Sequence, residues 1–215
     1  AVRAELVKAA PGVPIVCVYH KPLAFGDVRI VVGDVEQSIW RVYVNLLTAA
    51  QAATTKWVCC CEDDSLYVPS FFQHRPAPDV FEYNKNRLVL TRRLSEDGTL
   101  REALLYWRER HQLAQLVCAR DLLVDTLEER FAKYPDPVPH EEAKRSGWGE
   151  PGRYEKNLML PRRKMEWFWT TQPTITINHA ASLMGRRALK PTDILYTEAE
   201  PWGNADALWE RIVGE

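Results

Sequence analysis

The sequence predicts an α/β fold in a single globular domain, a mixed sheet flanked by helices, and three observations carry that expectation. Short apolar runs alternate with a helical pattern through the first half, as parallel strands joined by crossover helices require. Trp57-Val58-Cys59-Cys60-Cys61 is continuously apolar and too short for a helix, which suits a strand buried on both faces. The acidic triplet Glu62-Asp63-Asp64 follows at once, at the carboxyl end of that strand, where the loops of an open α/β sheet form the ligand crevice.

In chain order, residues 13–19 and 28–32 are the first two strand candidates. Between residues 37 and 53, Ile39, Val42, Tyr43, Leu46, Leu47 and Ala50 recur at helical spacing, with Ser38 as the cap. This helix is expected to pack on the sheet. Residues 79–83 and 87–91 read as two strands joined by an Asn84-Lys85-Asn86 turn, because Asn tolerates the left-handed backbone of tight hairpins. After the turn-prone Glu96-Asp97-Gly98, Leu116-Val117-Cys118 is a short strand, and Leu123, Leu127 and Phe131 line a helix that ends before Pro135. Prolines and glycines from Pro135 to Gly152 exclude regular structure throughout that segment, and long ordered loops are often functional. Thr174-Ile175-Thr176-Ile177 is a β-branched strand that delivers Asn178-His179, and residues 206–213 form a last short helix.

With 215 residues and 46% hydrophobic side chains, the chain fits one well-buried domain and is too short for two ordinary ones. A net charge of -1 argues against coating nucleic acid by bulk electrostatics, so a polyanion contact has to be local. No apolar stretch reaches the roughly 20 residues a bilayer crossing needs. The first ten residues lack the apolar segment of a signal peptide, so a cytoplasmic protein with no membrane partner is expected. Cys17, Cys59, Cys60, Cys61 and Cys118 fall mostly in apolar runs, as free buried cysteines do. Consecutive cysteines on a strand alternate faces and cannot converge on one zinc ion.

Crowded carboxylates at a strand end repel one another, and a hard divalent cation relieves that repulsion. Mg²⁺ or Mn²⁺ commonly bridges one or two carboxylates to substrate phosphates, whereas the bland alternative is a solvated acidic turn. His179 is placed to complete such a coordination sphere, with Mn²⁺ accepting nitrogen more readily. Arg186 and Arg187 are candidate donors to a diphosphate, against an ordinary solvated surface. Glu141, Glu142 and Glu150 are candidate general bases on the Pro/Gly-rich segment, and Trp148, flanked by glycines, is the candidate acceptor-stacking ring. The chain carries neither a Walker-type phosphate loop nor a G-x-G-x-x-G fingerprint, which speaks against an NTPase or dehydrogenase.

Pro14-Ile15-Val16-Cys17-Val18-Tyr19, the amphipathic helix after it, and the run from Ala52 into Cys61-Glu62-Asp63-Asp64 resemble the GT-A-fold glycosyltransferases related to family 2. In that family a first strand supports the nucleotide, and a later strand ends in a D-x-D-like motif. Leu116-Val117-Cys118-Ala119-Arg120-Asp121-Leu122-Leu123 looks like the family's acceptor-side segment. The tail, from Ile175-Thr176-Ile177-Asn178-His179 through Gly185-Arg186-Arg187 to Trp202-Gly203, is similar to the ends of phage-encoded glycosyltransferase-like proteins. Some of those relatives act on hydroxymethylated pyrimidines in DNA.

The resemblance implies one GT-A domain with a Rossmann-like mixed sheet, residues 1–92 holding the nucleotide-sugar and 93–215 facing the acceptor. It implies a nucleotide-diphospho-sugar donor, UDP-sugars favoured, with Mn²⁺ or Mg²⁺, and 5-hydroxymethylpyrimidine (5-hydroxymethylcytosine, for example) in viral DNA as acceptor. Asp64 would bind metal, Glu62 or Asp63 metal or ribose, and His179 would be the late ligand. Tyr19 and Asp34 join Glu62, Asp63, Arg186 and Arg187 as donor-binding residues. The triplet opens with Glu where the family has Asp, and the family's base motif has no clean counterpart, so the base stays open among Glu141, Glu142 and Glu150. Transfer to a glycan or small molecule, nucleotidyl transfer, and a non-catalytic DNA- or glycan-binding module are the alternatives.

Overall fold

The computed structural model describes residues 1–94, 98–106, 111–138, 142–143, 148–178 and 193–214. Within them the chain is mixed α/β, with mixed sheets, five α-helices and no barrel. No described helix is long and apolar enough to cross a membrane.

Helix α1 (Val2–Ala9) leads into β1 (Val16–Tyr19) and β2 (Val28–Val31), which pair in parallel. Helix α2 (Ile39–Ala52) starts where expected: Ser38 Oγ accepts from the Arg41 N–H at 3.1 Å, satisfying one of the unpaired donors of the first turn. Strand β3 (Trp57–Cys59) then runs into β4 (Ser65–Leu66), α3 (Pro69–Gln73), β5 (Val80–Asn84) and β6 (Arg87–Leu94). Next come β7 (Leu100–Tyr106), β8 (Leu116–Ala119) and α4 (Arg120–Lys133), which stops before Pro135. Strands β9 (Lys164–Phe168), β10 (Thr174–Ile177), β11 (Ile194–Tyr196), β12 (Glu198–Ala199) and β13 (Gly203–Asn204) precede α5 (Ala205–Ile212). Asn204 caps α5 by accepting from the Asp206 and Ala207 N–H groups at 2.9 and 3.3 Å.

The strands form a four-stranded sheet in the order β3-β8-β5-β9, a five-stranded sheet in the order β11-β7-β6-β10-β4, and two strand pairs. Strand β8 runs antiparallel to both β3 and β5, and β9 runs parallel to β5. The carboxyl ends of β3, β5 and β9 therefore lie on one rim.

Three expectations need correction. The first strands do not join β3 in one parallel sheet: β1 and β2 form their own pair, and β3 is an edge strand whose partner β8 is antiparallel. Its three residues are half-buried instead of enclosed on both faces, because an edge strand has a neighbour on one side only. Strands β5 and β6 are not a hairpin. The Lys85 N–H donates to the Phe168 carbonyl at 2.9 Å, and Asn84 Nδ2 donates to Gln115 Oε1 at 3.1 Å, so the chain crosses from one sheet to the other there. Strand β6 pairs with β7 and β10.

Two cores result. Alternation along the four-stranded sheet sends Phe81, Tyr83, Leu116 and Cys118 to one face, against Trp40, Tyr43 and Ala50 of α2 and Leu123 and Leu127 of α4. The opposite face sends Val117 and Phe168 to the five-stranded sheet, where Leu66, Leu88, Leu90, Leu104, Ile175 and Ile177 meet α1 and α5. A fully buried Leu or Phe contributes roughly 1.5–3 kcal/mol. The chain segment that links β3 to β4 thus connects two separately buried sheets.

Candidate active site

That link is the acidic triplet. The Ser65 N–H donates to the Glu62 carbonyl at 3.3 Å, closing a β-turn with Asp63 and Asp64 at its centre. Asp and Ser are favoured in such turns because their side chains bond nearby backbone, and here Ser65 Oγ donates to Asp64 Oδ1 at 3.2 Å. Two further bonds fix the turn: the Glu62 N–H donates to the Tyr67 hydroxyl at 3.0 Å, and the Ile177 N–H donates to the Asp64 carbonyl at 2.8 Å. The second bond brings the end of β10 against Asp64, so Asn178, the residue before His179, starts from this turn. It is tied to β6 by its N–H on the Leu90 carbonyl at 2.8 Å and its Nδ2 on Thr91 Oγ1 at 2.9 Å.

Burial, then the charges of Asp64, Asp63 and Glu150, push the Glu62 carboxyl from 4.5 up to about 8. Glu62 is nevertheless partly solvent-accessible and Asp63 is exposed. The turn gathers three carboxyl groups in consecutive residues, and like charges so placed raise one another's proton affinity.

Glu150 joins this field from the Pro/Gly-rich segment, and the segment is anchored on both sides of it. Arg130 Nη1 donates to the Gly149 carbonyl at 2.8 Å, and Tyr83 Oη donates to the Pro151 carbonyl at 2.7 Å. Arg130 is itself held: its Nε donates to Glu155 Oε1 at 2.9 Å, and both side chains are buried. Glu150 also raises the Tyr43 and Tyr83 phenols, whose burial is the larger cause, so both rings keep their protons.

Of the other expected residues, Glu142 is exposed, and Glu141, His179, Arg186 and Arg187 lie outside the described residues. Tyr19 ends β1, but its hydroxyl donates to the Phe25 carbonyl, and burial with the Cys17 contact pushes it up to about 12. Asp34 is exposed on the loop before α2. Trp148 is corrected: it is 4% exposed and packs against Tyr43, Phe131 and Tyr134, so its ring belongs to the core and offers no face to an acceptor.

Carboxylate oxygens suit a hard divalent cation, and Asp64 with Glu62 are the described residues that would hold it. Among the described residues no three His, Cys, Asp or Glu side chains form a metal-binding group. A groove of about 720 Å³ at the amino ends of β1 and β2, lined by Val7, Val13, Phe25 and Asp27 among others, is separate from the acidic turn.

Sequence reasoning missed Tyr83 and Arg130. Tyr83 gives no signal, being one more large side chain of a strand. Arg130 gives one: it falls at the next position of the stripe formed by Leu123 and Leu127, where a charged side chain on a buried face demands a partner. No protein-family model, curated protein or solved structure matches the chain.

Proposed function

We propose that the chain is a metal-dependent glycosyltransferase of the GT-A type. It moves a sugar from a nucleotide-diphospho-sugar, a UDP-sugar by preference, to an acceptor hydroxyl, with 5-hydroxymethylpyrimidine in viral DNA as the acceptor. The observation that carries this reading is the acidic turn, in which Glu62 feels the charges of Asp64, Asp63 and an anchored Glu150. A bound Mn²⁺ or Mg²⁺ would neutralise the donor diphosphate, and phosphate oxygens would complete the ligand set that Asp64 and Glu62 begin.

Glu150 takes the proton of the acceptor hydroxyl as its oxygen bonds to the anomeric carbon. The bond from that carbon to the diphosphate oxygen breaks, and its electron pair leaves with the nucleoside diphosphate. Arg186 and Arg187 are assigned to that leaving group by resemblance alone, as His179 is to the metal. A base acceptor in duplex DNA has to leave the stack to reach the acidic turn.

The test is nucleoside diphosphate release from UDP- and GDP-sugars, with Mn²⁺ or EDTA, with and without hydroxymethylcytosine-containing DNA. Metal-dependent release stimulated by that DNA supports the proposal in full. Release without stimulation keeps the transferase and removes the DNA acceptor, and no release from any donor overturns the reading.

A further inference from the structure

The Asp64 carboxylate is the visible end of a longer chain of side chains. Ser65 Oγ donates to Asp64 Oδ1 at 3.2 Å and lies 3.4 Å from Thr176 Oγ1. Thr176 Oγ1 donates to Gln112 Oε1 at 3.3 Å, and Arg87 Nη1 donates to the same Oε1 at 2.7 Å. Ser65, Thr176 and Arg87 are 1%, 7% and 2% exposed, so water does not compete for these contacts as it does at the surface. The backbone fixes the spacing: Ser65 of β4 and Thr176 of β10 are directly paired antiparallel, and β10 lies beside β6, which begins with Arg87.

The donor directions follow from what each group can do. A guanidinium only donates and an ionised carboxylate only accepts. Arg87 must therefore donate to Gln112, and Ser65 must give its one proton to Asp64. The contact between the two hydroxyls then has one donor left, the Thr176 proton, shared between Ser65 and Gln112. Gln112 Oε1 thus accepts from Arg87 and Thr176 and fixes the Thr176 hydroxyl beside Ser65, whose own proton points to the acidic turn and ties Oδ1 of Asp64.

We infer that Ser65, Thr176 and Gln112, anchored by Arg87, are positioning residues that hold the Asp64 carboxylate in the orientation that a divalent cation takes. This inference rests on the proposal that Asp64 binds metal. A polar relay in this place has an alternative apolar solution, since a Ser/Thr pair across two strands is replaceable by Ala and Val without disturbing the backbone ladder. Its purpose under this inference is to spare the metal the entropy of ordering a free carboxylate, as the groups behind a ligand generally do.

Mn²⁺ binding to the purified chain, followed by electron paramagnetic resonance, tests it without reference to turnover. Asp64→Asn should abolish the bound signal. Ser65→Ala and Thr176→Val should each weaken Mn²⁺ by roughly tenfold, the lower end of what such supporting contacts contribute. Thr176→Ser, which keeps the hydroxyl, should return near wild-type affinity. The cooperative unfolding transition of each variant confirms that it is folded, and Ser65→Ala, the smaller change, decides the matter if Thr176→Val does not fold. Wild-type affinity in folded Ser65→Ala or Thr176→Val, with binding lost in Asp64→Asn, overturns the relay and leaves the metal site standing. Wild-type affinity in Asp64→Asn, or no Mn²⁺ binding to the unaltered chain, overturns both.

Discussion

Glu62 makes the folded protein pH-sensitive in a direction opposite to that of an ordinary paired carboxylate. Its carboxyl is raised from 4.5 to about 8, so the native state holds a proton that the unfolded chain releases. The stability this gives is complete below pH 4.5, declines through the window from 4.5 to 8, and is gone above it. At about 1.4 kcal/mol per pH unit the ceiling is roughly 5 kcal/mol. Glu62 is partly open to solvent, and screening reduces the expected loss to about 2 kcal/mol. Urea unfolding of wild type and Glu62→Gln, at pH values spanning 4.5 to 8, measures it. The two proteins should match at the acidic end, and the Gln variant should become the more stable as pH rises. Saturating Mn²⁺ should shrink the difference, because a cation favours the ionised carboxylate. Parallel stability curves across the window would refute the crowding argument, and a Mn²⁺-independent difference would refute its link to metal.

Three further outcomes follow from other parts of the molecule. Arg130→Met leaves Glu155 buried without its partner, and urea unfolding should show a loss of roughly 3–5 kcal/mol. Buried His111, stacked on Trp167 at 3.8 Å, is pushed from 6.5 down to about 4 by desolvation and by Arg153 and Arg87. Its contribution is intact above pH 6.5 and is lost as pH falls towards 4, by up to about 3 kcal/mol; His111→Gln should remove that part of the acid sensitivity. Tyr83→Phe removes the bond to the Pro151 carbonyl and should cost about 1 kcal/mol by thermal or urea unfolding. If Glu150 is the base, the same variant lowers kcat while leaving KM for the donor unchanged.

The elements that the sequence predicts well are those whose signals are local. Helix α2 has its apolar stripe and its Ser38 cap, and α4 has the stripe of Leu123 and Leu127 and a stop before Pro135. Strand pairing is not local. Strand β5 is buried at four of its five positions, so it lacks the alternation that would announce one wet face, and Asn84-Lys85-Asn86 looks like a hairpin until the distant Phe168 and Gln115 are present to take its hydrogen bonds. Strand β7, Leu-Arg-Glu-Ala-Leu-Leu-Tyr, is rich in helix formers, and its seven-residue register with β6 overrides them. Strand β9 did carry a readable signal: Lys164-Met165-Glu166-Trp167 alternates, and its burial alternates with it.

The site divides along the same line. Acidic residues after an apolar run locate the turn, because a strand end and a cluster of like charges are both written in consecutive residues. What adds a fourth charge to the three carboxylates is written far apart: Glu150 acts on Glu62 from a segment that Tyr83 and Arg130 hold by the carbonyls on either side of it. Trp148 shows the converse error. Glycines on both sides suggest an exposed ring, yet Tyr43, Phe131 and Tyr134 enclose it, so the aromatic that looked most available is the one the core uses to seat the segment carrying Glu150. The same burial that removes Trp148 from the acceptor side therefore supports the position of the candidate base, and loosening that ring should move Glu150 before it unfolds the sheet.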